Sequence, residues 1–163
     1  MELGDLLPLA SRWLHLLSAM VLVGGTLFLR FTVVPTKKDG QLNDETFQLV
    51  RKRWARLVMA SILFSLVCGF YNAWLKVVGY QLDGVYLTLL FLKIVVGFFA
   101  YFMISVLSGR SAMAHRFRES ELKWYNVTCA ALVLLVLMAG YMKMSPQPVK
   151  VKEEHIAATI EFD

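Results

Sequence analysis

The chain has 163 residues, of which 58% are hydrophobic and only 18% charged, with a mean hydropathy of +0.58; a soluble domain carries about 25% charge. That composition excludes an ordinary soluble globular fold. The formal net charge of +5 is spread between apolar runs and not gathered into one patch, so nucleic acid is excluded as a partner and a lipid bilayer is the expected solvent.

The apolar runs are Leu9 to Phe31, Trp54 to Leu75, Val85 to Leu107 and Trp124 to Met142, each close to the ~20 residues that carry a helix across a bilayer. They predict an all-α integral membrane four-helix bundle of up-down-up-down order in residues 1–145, followed by a polar outer C-terminal tail in 146–163. The first run is expected to stay in the mature protein. Glu2 and Asp5 stand where a signal peptide has basic residues, the apolar region is long, and no small-x-small cleavage site follows.

In chain order, Pro8 suits the first turn of helix one, because its missing donor is not needed there. His15, Ser18, Ala19, Leu22 and Thr26 fall at helical spacing on one face, a polar stripe that should turn toward other helices. Gly24 and Gly25 allow close backbone approach and could serve a homo-oligomer contact; Pro35 is expected to end the span. Asn43, followed by Asp44 and Glu45, reads as the N-cap of helix two. Arg51, Lys52, Arg53 and Arg56 then form a basic run suited to anionic headgroups, and Ser61, Ser65, Cys68 and Asn72 continue as an inward polar stripe.

Helix three carries Lys93, with Gly97, Ala100 and Tyr101 on the same face, and Gly109 is its expected C-cap. Ser120 is the expected cap of helix four, which Pro146 and Pro148 terminate. Trp74, Tyr80 and Tyr86 at one level and Trp54 and Trp124 at the other read as interfacial belts. The two cysteines, Cys68 and Cys129, lack metal-knot spacing and should be reduced and packed.

Lysine and arginine concentrate between spans one and two (Arg30, Lys37, Lys38, Arg51 to Arg53, Arg56) and between spans three and four (Arg110, Arg116, Arg118, Lys123). By the positive-inside rule both connections are cytoplasmic and both termini lie outside, N-out and C-out. Counting from the outer ends brings His15, Lys93, Asn72, Cys68, Met138, Tyr141 and Met142 to a similar depth, an outward-side polar site. Ionisable residues inside a membrane are functional candidates by default. A neutral His15 can hydrogen-bond Asn72 or Tyr141 as a structural lock, or ligate the iron of haem b, with Met138 or Met142 as second axial ligand. Lys93 can snorkel to headgroups or pair with a propionate or another anionic substrate. His115 lies at the opposite end and His155 in the tail, so a second histidine ligand is disfavoured. The chain has no nucleophile-base motif, phosphate loop or intramembrane carboxylate pair.

Arg12-Trp13-Leu14-His15-Leu16-Leu17-Ser18-Ala19 with Val23-Gly24-Gly25, Leu92-Lys93-Ile94, Arg53-Trp54-Ala55-Arg56 and Gly69-Phe70 together resemble the CopD-like and HemJ-like four-helix membrane proteins over all four spans. The resemblance implies a bacterial-type cytoplasmic (inner) membrane location and one of two uses. The HemJ-like use is haem-dependent oxidation of a porphyrin, an oxidoreductase with His15 as haem ligand, Lys93 as second functional residue and quinone as a partner to test. The CopD-like use is handling of copper or another small solute in the same pocket, with His15 as the metal ligand. A third reading, from the residues alone, is a non-catalytic structural or assembly subunit of a membrane complex in which His15 and Lys93 lock the bundle.

Overall fold

A computed structural model of the chain describes residues 3–109, 114, 116–117, 120–144 and 149–150. Helix α1 runs Leu3–Phe28, passes through a π-helical turn at Leu29–Val33, and continues as α2, Val34–Lys38. Helix α3 spans Asp44–Gly79, α4 spans Gly84–Ser108 and α5 spans Glu121–Met144. Among the described residues four helical segments are therefore long and apolar enough to cross a membrane, as the hydrophobic runs predict. Two-residue strands β1 (Tyr80–Gln81) and β2 (Val149–Lys150) pair antiparallel, tying two residues of the C-terminal segment to the α3–α4 connection. The rest of residues 146–163, with His155, and also His115 lie outside the described residues.

Two helix boundaries differ from expectation. Pro8 lies inside α1, at its sixth residue and not in its first turn. Pro35 does not end the first span: it follows the π turn, in which the Val34 N–H reaches the Leu29 carbonyl, and the helix proceeds to Lys38. The wider π turn accommodates the residue that cannot donate, and the chain reverses at Gly40, whose φ of +73° requires glycine. The other caps follow chemistry. The Asn43 side chain accepts from the Thr46 N–H at 2.8 Å and Asp83 accepts from the Tyr86 N–H at 2.7 Å.

The spans pack as two close pairs, α1 on α3 and α4 on α5, with α3 against α4 less extensive and α1 against α5 least. One buried layer contains Leu22, Val58, Ala100, Ile104 and Leu132; a second, toward the basic end, contains Leu29, Val33, Val34, Phe47, Leu107 and Tyr125. Both predicted polar stripes do turn inward. Ser18, Thr26, Ser61, Ser65 and Cys68 are buried, and Ser18 and Thr26 satisfy their hydroxyls on their own helix, on Leu14 O and Leu22 O. Outward, Trp13, Leu17, Met20, Leu63, Val67, Phe91, Phe102 and Leu137 are exposed, an apolar perimeter of the kind soluble monomers rarely show.

Three side chains expected at the membrane surface are instead structural. The Trp54 indole packs on Gly25: a Cβ there would lie 2.0 Å from the ring, so Gly25 is taken by an intramolecular contact, while Gly24 has open space around it. Trp124 is half-buried against the second layer and faces Phe117, with ring centroids 4.7 Å apart. Arg51, only 6% exposed, does not reach headgroups. Its guanidinium donates to Leu107 O at 2.6 Å and lies over the Phe47 ring, holding one of the orphan carbonyls in the last turn of α4. Lys52, Arg53 and Arg56 are exposed as expected, and Cys68 and Cys129 are free and buried.

Candidate functional site

Above the Leu22–Leu132 layer the four spans separate around a cavity of about 330 Å³, within the ~300–1,000 Å³ usual for small-molecule sites. Each span contributes to its wall: Leu16 and Ala19 from α1, Gly69 and Phe70 from α3, Ile94 and Gly97 from α4, Leu135 and Val136 from α5, among others. The polar members are His15, Ser65, Lys93 and Tyr101. Everything else on the wall is apolar or glycine.

His15 is held by α3. Its Nδ1 lies 3.0 Å from the Ser65 carbonyl oxygen; a carbonyl can only accept, so Nδ1 carries the proton and donates. In the neutral ring this leaves Nε2 with the lone pair, the tautomer that a metal-ligating or proton-accepting histidine adopts when its other nitrogen is anchored to backbone. Ser65 Oγ is a secondary neighbour of the same Nδ1 at 3.4 Å and shares a 2.6 Å hydrogen bond with the Tyr101 hydroxyl. A chain of polar contacts thus links α1, α3 and α4 across the cavity.

Gly69 makes the approach of the ring feasible, because a Cβ at that position would stand 3.1 Å from His15 Cε1 and 3.3 Å from Nδ1. Gly69→Ala is therefore expected to push the imidazole away by a few tenths of an ångström and weaken its bond to Ser65 by about 0.5–1 kcal/mol. The measurement is the ¹⁵N spectrum of His15, in which a mixture of tautomers replaces the single Nδ1–H form; an unchanged spectrum would mean that Gly69 does not set the ring position.

His15 and Lys93 are brought to one cavity, as expected. Asn72, Tyr141, Met138 and Met142 are not on its wall. Asn72 is half-buried with its Oδ1 lacking a hydrogen-bond partner, Tyr141 is exposed, and Met138 and Met142 are buried. The partner that holds His15 is Ser65, not Asn72. The cause is register: Ser11 Oγ donates to Cys68 O at 3.4 Å, so His15, one turn further along α1, meets α3 near Ser65 and Gly69. Ser65, Gly69 and Tyr101 are the site residues that sequence reasoning left unassigned. Ser65 had its signal on the inward stripe of helix two and Tyr101 on the Lys93 face of helix three, whereas Gly69 lay outside that stripe, one turn after Ser65.

The fold and site define a class: a four-helix protein with spans of membrane-crossing length and an apolar cavity carrying a histidine and a lysine. Known proteins refine this little. No protein-family model and no solved structure matches the chain. It is 28% identical over 135 residues to an uncharacterised protein of Aquifex aeolicus (strain VF5), covering 78% of this chain and 89% of that relative, which carries no functional information across.

Proposed function

We propose that the protein is a multi-pass inner-membrane protein of CopD/HemJ-like type that binds haem b in this cavity and serves a redox reaction. Both termini face outward, as the basic connections require. The observation that carries the reading is the His15 Nδ1–H bond to the Ser65 carbonyl at 3.0 Å on the wall of an apolar cavity. It leaves Nε2 as a ligand nitrogen and fixes the ring, the usual arrangement around a haem or metal histidine.

The donor set fits the group. One neutral imidazole suits iron, apolar walls suit a porphyrin face, and Lys93 suits a carboxylate such as a propionate. When bound, haem supplies one-electron chemistry. The chain's own residues would hold it: His15 would be the ligand, while the Ser65 carbonyl holds the ring, Tyr101 bonds Ser65 Oγ, and the apolar side chains would exclude water. Met138 and Met142 lie off the wall, so His15 is taken as the single protein ligand from this cavity. The same fact disfavours a copper-handling use, because the wall offers a soft metal no sulfur beside His15.

The test is an oxidised and dithionite-reduced absorption spectrum of protein purified in mild detergent after expression with ample haem. A Soret band and reduced-minus-oxidised haem bands are expected in the wild type and lost in His15→Ala. A colourless wild type would refute the reading. The His15–Ser65 bond also ties α1 to α3, which favours the structural-subunit reading as second choice; a colourless wild type together with a lowered melting temperature in His15→Ala would select it.

A further inference from the structure

We infer that the Tyr101 hydroxyl is a hydrogen-bond donor turned into the cavity, and that the molecule bound there meets it with a carbonyl-type oxygen, at a place distinct from Lys93. This goes beyond the haem assignment and does not depend on iron.

The direction of the bonds follows from counting donors and acceptors. Ser18, Thr26 and Thr128 return their hydroxyls to a carbonyl of their own helix, one turn back. Ser65 does not. Its Oγ has two polar neighbours, His15 Nδ1 at 3.4 Å and the Tyr101 hydroxyl at 2.6 Å. His15 Nδ1 carries a proton, because it donates to Ser65 O at 3.0 Å, so it has no lone pair for the Ser65 hydroxyl to bond. Two hydroxyls therefore share one bond, and one O–H is left without an acceptor among the described residues. Ser65 is 1% exposed, and an unmet donor there would be sealed away from any partner. Tyr101 is half-buried on the cavity wall, where an occupant can meet it. Ser65 thus donates to Tyr101, and the phenol directs its own proton into the cavity. The longer contact runs in the same sense, from Nδ1–H to Oγ.

The place of this donor sets what meets it. Tyr101 packs against the Leu22–Leu132 layer that floors the cavity. Lys93 is on the same face of α4 but about 12 Å away along the axis at ~1.5 Å per residue, so the two donors address different parts of an occupant. Gly97, between them on the wall, has no side chain and leaves room for an apolar body. A single neutral O–H among apolar side chains suits a neutral acceptor, since a charge buried against it alone would stay poorly solvated. A carbonyl oxygen is such an acceptor.

The experiment uses the full-length chain, expressed in a haem-deficient host and purified in mild detergent, so that the cavity is open whether or not haem is its natural occupant. The probes are 9-fluorenone, a rigid aromatic ketone with one acceptor and no donor or charge, and fluorene, the same skeleton without the oxygen. The ratio of fluorenone to fluorene affinity is expected to be about fivefold higher in the wild type than in Tyr101→Phe, the factor for one neutral hydrogen bond. The carbonyl stretching band of bound fluorenone should lie lower in the wild type than in Tyr101→Phe. Lys93→Met should keep both signatures. Ser65→Ala should keep them as well, whereas a Tyr101 hydroxyl that donated to Ser65 would be released by that substitution, so a preference gained only in Ser65→Ala would overturn the proposal. A ratio and band equal in wild type and Tyr101→Phe, their loss in Lys93→Met, or no binding of fluorenone to the folded wild type would overturn it too. The readouts need no haem, so this proposal and the haem reading can fail separately.

Discussion

Gly25→Ala is expected to destabilise the protein by about 3 kcal/mol, at the upper end of what overpacking costs, which lowers its melting temperature in detergent. The added Cβ would fall 2.0 Å from the Trp54 ring, so the indole must leave its site. Trp54 touches both buried layers, packing against the Leu29–Tyr125 group and the Leu22–Leu132 group, and moving it loosens the α1–α3 pair at its centre. Gly24→Ala is the control: nothing lies within 4 Å of a Cβ there, and alanine improves helix propensity. Combining Gly25→Ala with Trp54→Leu should cost less than the sum of the two, since the smaller side chain leaves room for the methyl. Equal melting temperatures for Gly25→Ala and wild type would show that the indole does not need this contact.

Arg51→Met is expected to cost about 1.5–3 kcal/mol, the range for a hydrogen bond to a charged group, while Lys52→Met, at an exposed position next to it, should change stability by less than about 0.5 kcal/mol. The Arg51 guanidinium donates to Leu107 O in the last turn of α4 and covers the Phe47 ring, so its removal frees a helix end and exposes an aromatic face. A headgroup anchor would behave differently. It would make Arg51 and Lys52 equivalent, with binding to anionic lipid affected and folding stability untouched. Melting both variants in neutral detergent and in anionic lipid separates the two: a loss for Arg51→Met that appears only in anionic lipid would count against the capping role.

Both variants concern residues whose neighbours the sequence does not reveal. Arg51 and Lys52 read alike in a basic run, and the difference between them is one of helix phase. Position 51 continues the face of Phe47 that turns inward at the level where α4 ends, and position 52 points out. Trp54 likewise carries the signature of an interfacial ring, and only the presence of a bare glycine on α1 opposite it makes an internal site.

Much of the fold was nonetheless legible. Four runs of apolar residues near ~20 in length leave a chain little choice but helices, since lipid offers backbone amides no partners. The inward faces were legible too, because Ser18, Thr26, Ser61 and Ser65 recur at helical spacing and small hydroxyls can bond to their own helix or to a neighbour. These are local properties, determined by composition and period alone. The meeting of His15 and Lys93 on one cavity followed from counting depth along antiparallel helices, which needs only the rise per residue.

What the tertiary structure decided is lateral. Counting from the ends of the apolar runs fixes depth only to within about two turns, the interval that separates Asn72 from Ser65 as the partner of His15; the observed register brings Gly69 beneath the imidazole, which lets the ring reach the Ser65 carbonyl. Which helices pair closely is likewise absent from any single helix: α1 packs chiefly on α3 and α4 on α5, while α1 and α5 share a smaller contact. Periodicity says which side of a helix faces other helices; only packing says which helix it faces, and whether the two touch.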